Sequence, residues 1–189
     1  NFSPELYPKL DLSKYNTEGY DWATFHKTPA PSELNNNYLF EYLESFGLSC
    51  TWIELFYAPP KSDGIIHCDN TDYTQYTKIY FQFGAKGSTL RWWDSKKIRK
   101  VSTTVGGEND KDTDYSSHKV DILVSDEKDA KIIYEKDLRN PHIVNVGKLH
   151  SPHNPTNEKR FVVTLAICDL DGRRILWDEA IDKLSNNII

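Results

Sequence analysis

The chain has 189 residues, of which 38% are hydrophobic and 13% aromatic, enough to build one sizeable core and too many for a disordered segment. A formal net charge of −5 argues against a nucleic-acid partner, and no apolar run reaches the length of a membrane span. Three sparse cysteines, Cys50, Cys68 and Cys168, have neither disulfide-framework nor metal spacing, which points to a reducing, cytoplasmic setting.

Residues 1–31 are rich in Pro, Tyr and Trp, lack a clear period, and are expected to wrap over the core as an arm. Pro31 and Ser32 then open a helix in which Leu34, Tyr38, Leu39, Tyr42, Leu43 and Phe46 recur at helical spacing, and Gly47 stops it. Strand signals follow at 49–57 (SCTWIELFY), 64–68 (GIIHC), 76–83 (YTKIYFQF) and 88–93 (STLRWW). The stretch 94–130 is polar and reads mainly as a long loop, with short strand near 119–124 and, just beyond it, 131–134. Residues 142–149 and 160–168 are further strands, separated by a turn over 151–159, and 178–185 form a short final helix.

Many short strands with one main helix predict a mostly β jelly roll, and the lack of alternating helices excludes a doubly wound α/β fold. The whole chain, 1–189, is expected to be a single domain. It divides into an arm and helix (1–48), a jelly-roll core (49–168) with a polar insert near 94–130, and a C-terminal extension (169–189).

The chemistry gathers at His67 and Asp69, which share a strand face while Cys68 points the opposite way. An imidazole and a carboxylate on one face can hold two adjacent positions of a metal ion. His150, at the end of the strand 142–149, supplies a third ligand more readily than His153, which falls inside the expected turn. Two His and one carboxylate leave three positions open, the arrangement of non-haem Fe(II) oxygenases. A hairpin returning as RFVVTLAI is expected to bring Arg160 beside His150, where a buried guanidinium can clamp a carboxylate through two hydrogen bonds.

H-x-D alone is frequent in a chain of this composition. In conjunction with a distal His and an Arg ten positions later, in LHSPHNPTNEKRFVVTLAI (149–167), it resembles the Fe(II)/2-oxoglutarate-dependent dioxygenases over about residues 50–168. That resemblance implies a double-stranded β-helix (jelly roll, cupin-like) with one main flanking helix. It assigns His67, Asp69 and His150 to iron, and Arg160 to the distal carboxylate of 2-oxoglutarate. Lys78, which shares a strand face with Tyr76, and Tyr57 are further candidates for 2-oxoglutarate. The implied reaction consumes 2-oxoglutarate and O2, releases succinate and CO2, and hydroxylates a small-molecule or protein side-chain substrate. Two alternatives stand beside it: a cupin-like metal enzyme that does not use 2-oxoglutarate, and a non-enzymatic jelly-roll binding or structural module.

Other polar and aromatic residues have plainer readings. Arg91 is expected at the surface, one of Trp92 and Trp93 in the core, and Trp52 in the core or along a pocket wall. Asn70, Thr71, Asp72 and Tyr73 form a turn or a loop over the metal, residues 96–118 are a candidate lid, and His26, His118 and His142 are not expected to bind metal. The sequence does not set an oligomeric state.

Overall fold

In the computed structural model, which describes residues 6–15, 17–18, 23–25, 36–105 and 118–185, the β-branched and aromatic runs form two antiparallel sheets. The first contains, in spatial order, β1 (Ala23–Phe25), β2 (Leu48–Ala58), β12 (Arg160–Asp169), β5 (Thr77–Gly84) and β10 (His142–Asn145). The second contains β7 (Arg99–Val105), β8 (His118–Ser125), β4 (Ile66–Cys68), β11 (His150–Asn154), β6 (Thr89–Ser95) and β9 (Ala130–Asp137). The short β3 (Ser62–Asp63) also pairs with β11. Without β1 and the β7–β8 hairpin, the spatial orders are β2-β12-β5-β10 and β4-β11-β6-β9, so the chain winds back and forth between the sheets. The fold is therefore mostly β, a double-stranded β-helix of jelly-roll, cupin-like form.

Period-two alternation divides the first sheet into two apolar faces. Ile53, Leu55 and Tyr57 of β2, Ile79 and Phe81 of β5, and Phe161, Val163 and Leu165 of β12 enter the larger core. That core is covered by Leu39 and Leu43 of α1 (Asn37–Glu44) and by Ala180 and Leu184 of α2 (Trp177–Leu184). The opposite face places Tyr80, Val144 and Val162 against Leu90 and Trp92 of the second sheet. Because both faces of β12 are covered, its sequence reads as an unbroken apolar run rather than an alternation. Helix ends follow local chemistry: the Asn36 side chain accepts the Leu39 N–H, Glu179 accepts the Leu176 N–H, and Gly47 takes φ +64 just past α1.

Three segments differ from the sequence expectation. Residues 150–154 form a strand rather than the start of a turn, because β11 is held on one side by β3 and β4 and on the other by β6. Pairing on both edges overrides the turn preference of Pro152 and Asn154. The expected strand 142–149 stops at Asn145. There the Asn145 side chain accepts the Gly147 N–H, and Gly147 packs so tightly that a Cβ would lie 2.2 Å from the Thr74 carbonyl oxygen. This turn carries the chain from the first sheet to the second. The polar stretch after residue 94 contains β7 and β8, paired from Arg99↔Val124 to Val105↔His118 and attached to the edge of β4. Residues 106–117, which make up most of the expected lid, lie outside the described residues, as do His26 and the expected helix start at Pro31 and Ser32.

Leu165 lies in the central strand of the first sheet and is 0% exposed. Leu165→Ala is expected to lower unfolding free energy by about 2–5 kcal/mol, measured by urea denaturation, because the flanking strands limit collapse of the void.

Candidate metal centre

His67 and His150 are direct partners on neighbouring strands β4 and β11, with ring centroids 4.5 Å apart. Each ring is aimed by a short-range hydrogen bond: His67 Nδ1 to the Ile65 carbonyl at 3.0 Å, and His150 Nδ1 to the Lys148 carbonyl at 2.8 Å. With Nδ1–H donating to a carbonyl, Nε2 of each ring is left as the lone-pair nitrogen. Both Nε2 atoms approach Asp69 Oδ1, at 3.4 Å from His67 and 3.7 Å from His150. Asp69 follows directly after β4, and its N–H donates to the Val146 carbonyl, which fixes the bend that turns its carboxylate inward. One ligand atom from each of the three residues lies within 4.8 Å of the others, close enough for a single ion. Two imidazoles and a carboxylate on one side of an ion match the donor set of a non-haem ferrous site with open positions.

The second oxygen of Asp69 has its own partner. Lys78 Nζ is 2.7 Å from Asp69 Oδ2 and 2.7 Å from Glu54 Oε2, and Thr164 Oγ1 donates to the same Glu54 oxygen. Lys78, Glu54 and Thr164 are buried, and Asp69 is half-buried. Burial pushes the Asp69 pKa up, but the Lys78 ammonium and the two imidazoles outweigh it and hold the carboxyl well below its usual range. Burial opposes the charged form of Lys78, and the two carboxylates outweigh it, so its pKa is raised. Burial and the neighbouring His67 lower the His150 pKa to about 4, which keeps that imidazole neutral and able to bind a metal. For His67 burial acts the same way, but the adjacent Asp69 carboxylate favours the charged ring and leaves the pKa raised.

Arg160, the first residue of β12, is 3% exposed. Its Nε donates to Gln82 Oε1 at 3.1 Å, whereas its Nη2 is buried without a partner and no carboxylate lies within ion-pair distance among the described residues. Burial lowers its pKa to about 10. A buried cation of this kind is costly unless an anion joins it. Arg160 does not reach His150 by a hairpin, as the sequence suggested. The two residues lie on opposite sheets, and residues 155–159 cross between them, so histidines and guanidinium face one another across a common cavity of about 690 Å³.

Other expectations resolve as follows. Tyr57 borders the cavity wall, yet alternation along β2 turns its ring into the larger core, 5.4 Å from Phe161, unlike Glu54 and Phe56 on either side of Leu55. Lys78 faces the cavity, but two carboxylates already occupy its ammonium. His153 Nδ1 contacts Asp63 Oδ1, outside the three-residue cluster. Arg91 pairs with Glu135 and Asp63 near the surface, and Trp93 is the buried tryptophan, donating to Ser151 Oγ. Asn70 and Asp72 bond to Thr74 and satisfy their own turn. Cys68 is 0% exposed on the face away from the histidines, packed with Trp93 and Leu149. Sequence reasoning missed Glu54, Gln82 and Arg174. The available signal for Glu54 was a single acid inside the apolar run TWIELFYA, where burial demands a partner.

No protein-family model matches the chain, and no curated protein matches it. Solved structures similar to it include peruvianin-I, a cysteine peptidase from Thevetia peruviana latex, at 9% identity and TM-score 0.36, covering 87% of this chain and 74% of that one. Oxalate oxidase in complex with the substrate analogue glycolate aligns at 13% identity and TM-score 0.35, over 89% of this chain and 65% of its own. An acetylacetone dioxygenase from Acinetobacter johnsonii aligns at 16% identity and TM-score 0.28, over 88% and 77%. At these TM-scores the likeness carries no argument about fold or activity.

Two outcomes follow from the geometry. His150→Ala is expected to weaken Mn(II) or Fe(II) binding by about 100-fold or more, and His153→Ala by no more than about twofold, in anaerobic calorimetry. Metal loss only with His153→Ala would show the assignment to be wrong. Lys78→Met leaves two buried carboxylates facing each other and is expected to cost about 3–5 kcal/mol in urea denaturation, with part of the loss recovered when Glu54→Gln is added.

Proposed function

We propose that the chain is an Fe(II)/2-oxoglutarate-dependent dioxygenase, with residues 1–189 acting as one catalytic domain. The observation that carries this reading is Arg160, a buried guanidinium with an unpartnered Nη2, in the same cavity as a two-histidine, one-carboxylate cluster. A buried guanidinium is tolerated when a carboxylate completes it, and the paired N–H geometry of Arg suits that partner.

His67, Asp69 and His150 would hold the iron. Bound iron supplies the redox chemistry by which 2-oxoglutarate, O2 and substrate C–H become succinate, CO2 and hydroxylated product. The chain's own contribution is positional. The Ile65 and Lys148 carbonyls fix the two imidazoles, and Lys78 holds Asp69 ionised with Oδ1 turned toward them. Arg160, supported by Gln82, receives the distal carboxylate of 2-oxoglutarate. Lys78 serves as a brace for the metal carboxylate rather than as a second clamp for the keto acid. Walls that include Phe56, Leu90 and Val162 limit water in the cavity. The reducing, cytoplasmic setting expected from the three sparse cysteines accompanies this reading.

The direct assay is succinate release from 2-oxoglutarate with added Fe(II) and air. Arg160→Ala is expected to weaken 2-oxoglutarate binding by about 100-fold while changing metal affinity by less than about threefold, measured anaerobically. Unchanged 2-oxoglutarate affinity in that variant would remove Arg160 from the role. Metal binding without any 2-oxoglutarate binding would leave a metal enzyme of a different, 2-oxoglutarate-independent kind.

A further inference from the structure

After β12 the chain turns at Asp169–Gly172, and residues 173–177 wedge between the ends of β12 and β5. The Ile175 N–H donates to the Ile167 carbonyl, and the Thr77 N–H donates to the Ile175 carbonyl. Bridge pairs Cys168↔Arg174 and Tyr76↔Leu176 set the register. In this extended segment Ile175 enters the larger core at 0% exposure, so its neighbour Arg174 turns to the other face and borders the cavity that holds the metal cluster.

Among the described residues, no carboxylate pairs with Arg174. Its guanidinium carbon lies 4.7 Å from the centroid of the Tyr76 ring, and its Nε is buried without a hydrogen-bond partner. Of the arginines in the chain, Arg91, Arg99, Arg139 and Arg173 each pair with a carboxylate. Arg160 and Arg174 have no carboxylate partner among the described residues, and both border the cavity. Arg174 is not a second view of the Arg160 site. Thr164, which touches the Glu54–Lys78 pair, lies four residues along β12 from Arg160 and four from Cys168, the bridge partner of Arg174. At strand spacing the two guanidinium-bearing positions stand on opposite sides of the metal level, each about 13 Å away along the sheet. Trp52, 39% exposed, borders the cavity at the same end, where the register between β2 and β12 shifts between Ala166 and Ile167.

We infer that Arg174 is the recognition site for an oxyanion of the primary substrate, a carboxylate or phosphate, and that this substrate is a small organic anion whose apolar or aromatic body lies along Trp52 and Tyr76. A guanidinium already stacked on a ring keeps its in-plane N–H groups for a planar or tetrahedral oxyanion. With the anion held there, the body of the molecule extends toward His67, Asp69 and His150. The anion site follows from the position of Arg174 alone; only the statement that the bound molecule is oxidised rests on the proposed dioxygenase function.

The test uses the whole Mn(II)-loaded chain, with phenylacetate and phenyl phosphate as anionic probes, phenylacetamide as the neutral analogue, and 2-oxoglutarate in a separate titration. Binding is read by calorimetry and tryptophan fluorescence. The wild type is expected to bind at least one anionic probe with a dissociation constant of about 10 mM or tighter, and more tightly than phenylacetamide. Arg174→Gln is expected to weaken that probe at least about tenfold and 2-oxoglutarate by less than about twofold, and Arg174→Lys, which keeps the charge, should restore part of the probe affinity. Equal binding of charged and neutral probes, equal affinity in Arg174→Gln, or no probe binding in the wild type would each overturn the inference. Failure of 2-oxoglutarate alone would instead remove the dioxygenase reading, and the role of Arg174 would still be decided by the probes.

Discussion

An ammonium shared by two carboxylates organises this molecule. Lys78 lies on β5 in the first sheet and touches Glu54 of β2 in that sheet and Asp69 at the end of β4 in the second. A buried, unpaired lysine would give up its proton, and a buried, unpaired Asp69 would take one up. Together they remain charged, and the contact ties the two sheets at the level where the histidines converge. Asp69 consequently offers Oδ1 to the cavity as an anion of fixed orientation, its other oxygen being engaged behind it.

The two sheets divide the chemistry. The second sheet supplies both imidazoles from adjacent strands, each aimed by a carbonyl two residues earlier in the chain. The first sheet supplies the cations, from β5, from the start of β12 and from the segment wedged beyond its end. The two imidazoles of the cluster therefore sit on rigid paired backbone. The groups suited to larger ligands stand opposite, separated from them by the cavity itself.

Much of this was legible in the residues. SCTWIELFY, YTKIYFQF and RFVVTLAIC read as strands because β-branched and aromatic side chains suit a surface covered on both sides, and all three are strands. The spacing of His67 and Asp69 put them on one face, and the structure brings them together with His150. β11 was not legible, because HSPHN carries turn-forming residues and becomes a strand only through partners on both edges. Tyr57 illustrates a limit of period two: alternation separates faces, but which face meets the cavity depends on where α1 and α2 dock. Arg174 belongs to no motif. It becomes notable only once six arginines can be sorted by whether a carboxylate stands beside them.

The four charges grouped around the histidines and at Arg160 cancel. Asp69 and Glu54 contribute two negative charges, and Lys78 and Arg160 two positive ones, so the central set is neutral before anything binds. A divalent cation alone would leave this low-dielectric space with a charge of plus two, and a dicarboxylate alone with minus two. Together they return it to zero. Under the proposed function, cation and keto acid are therefore linked ligands, each tightening the other by mutual compensation of charge, and reciprocally so.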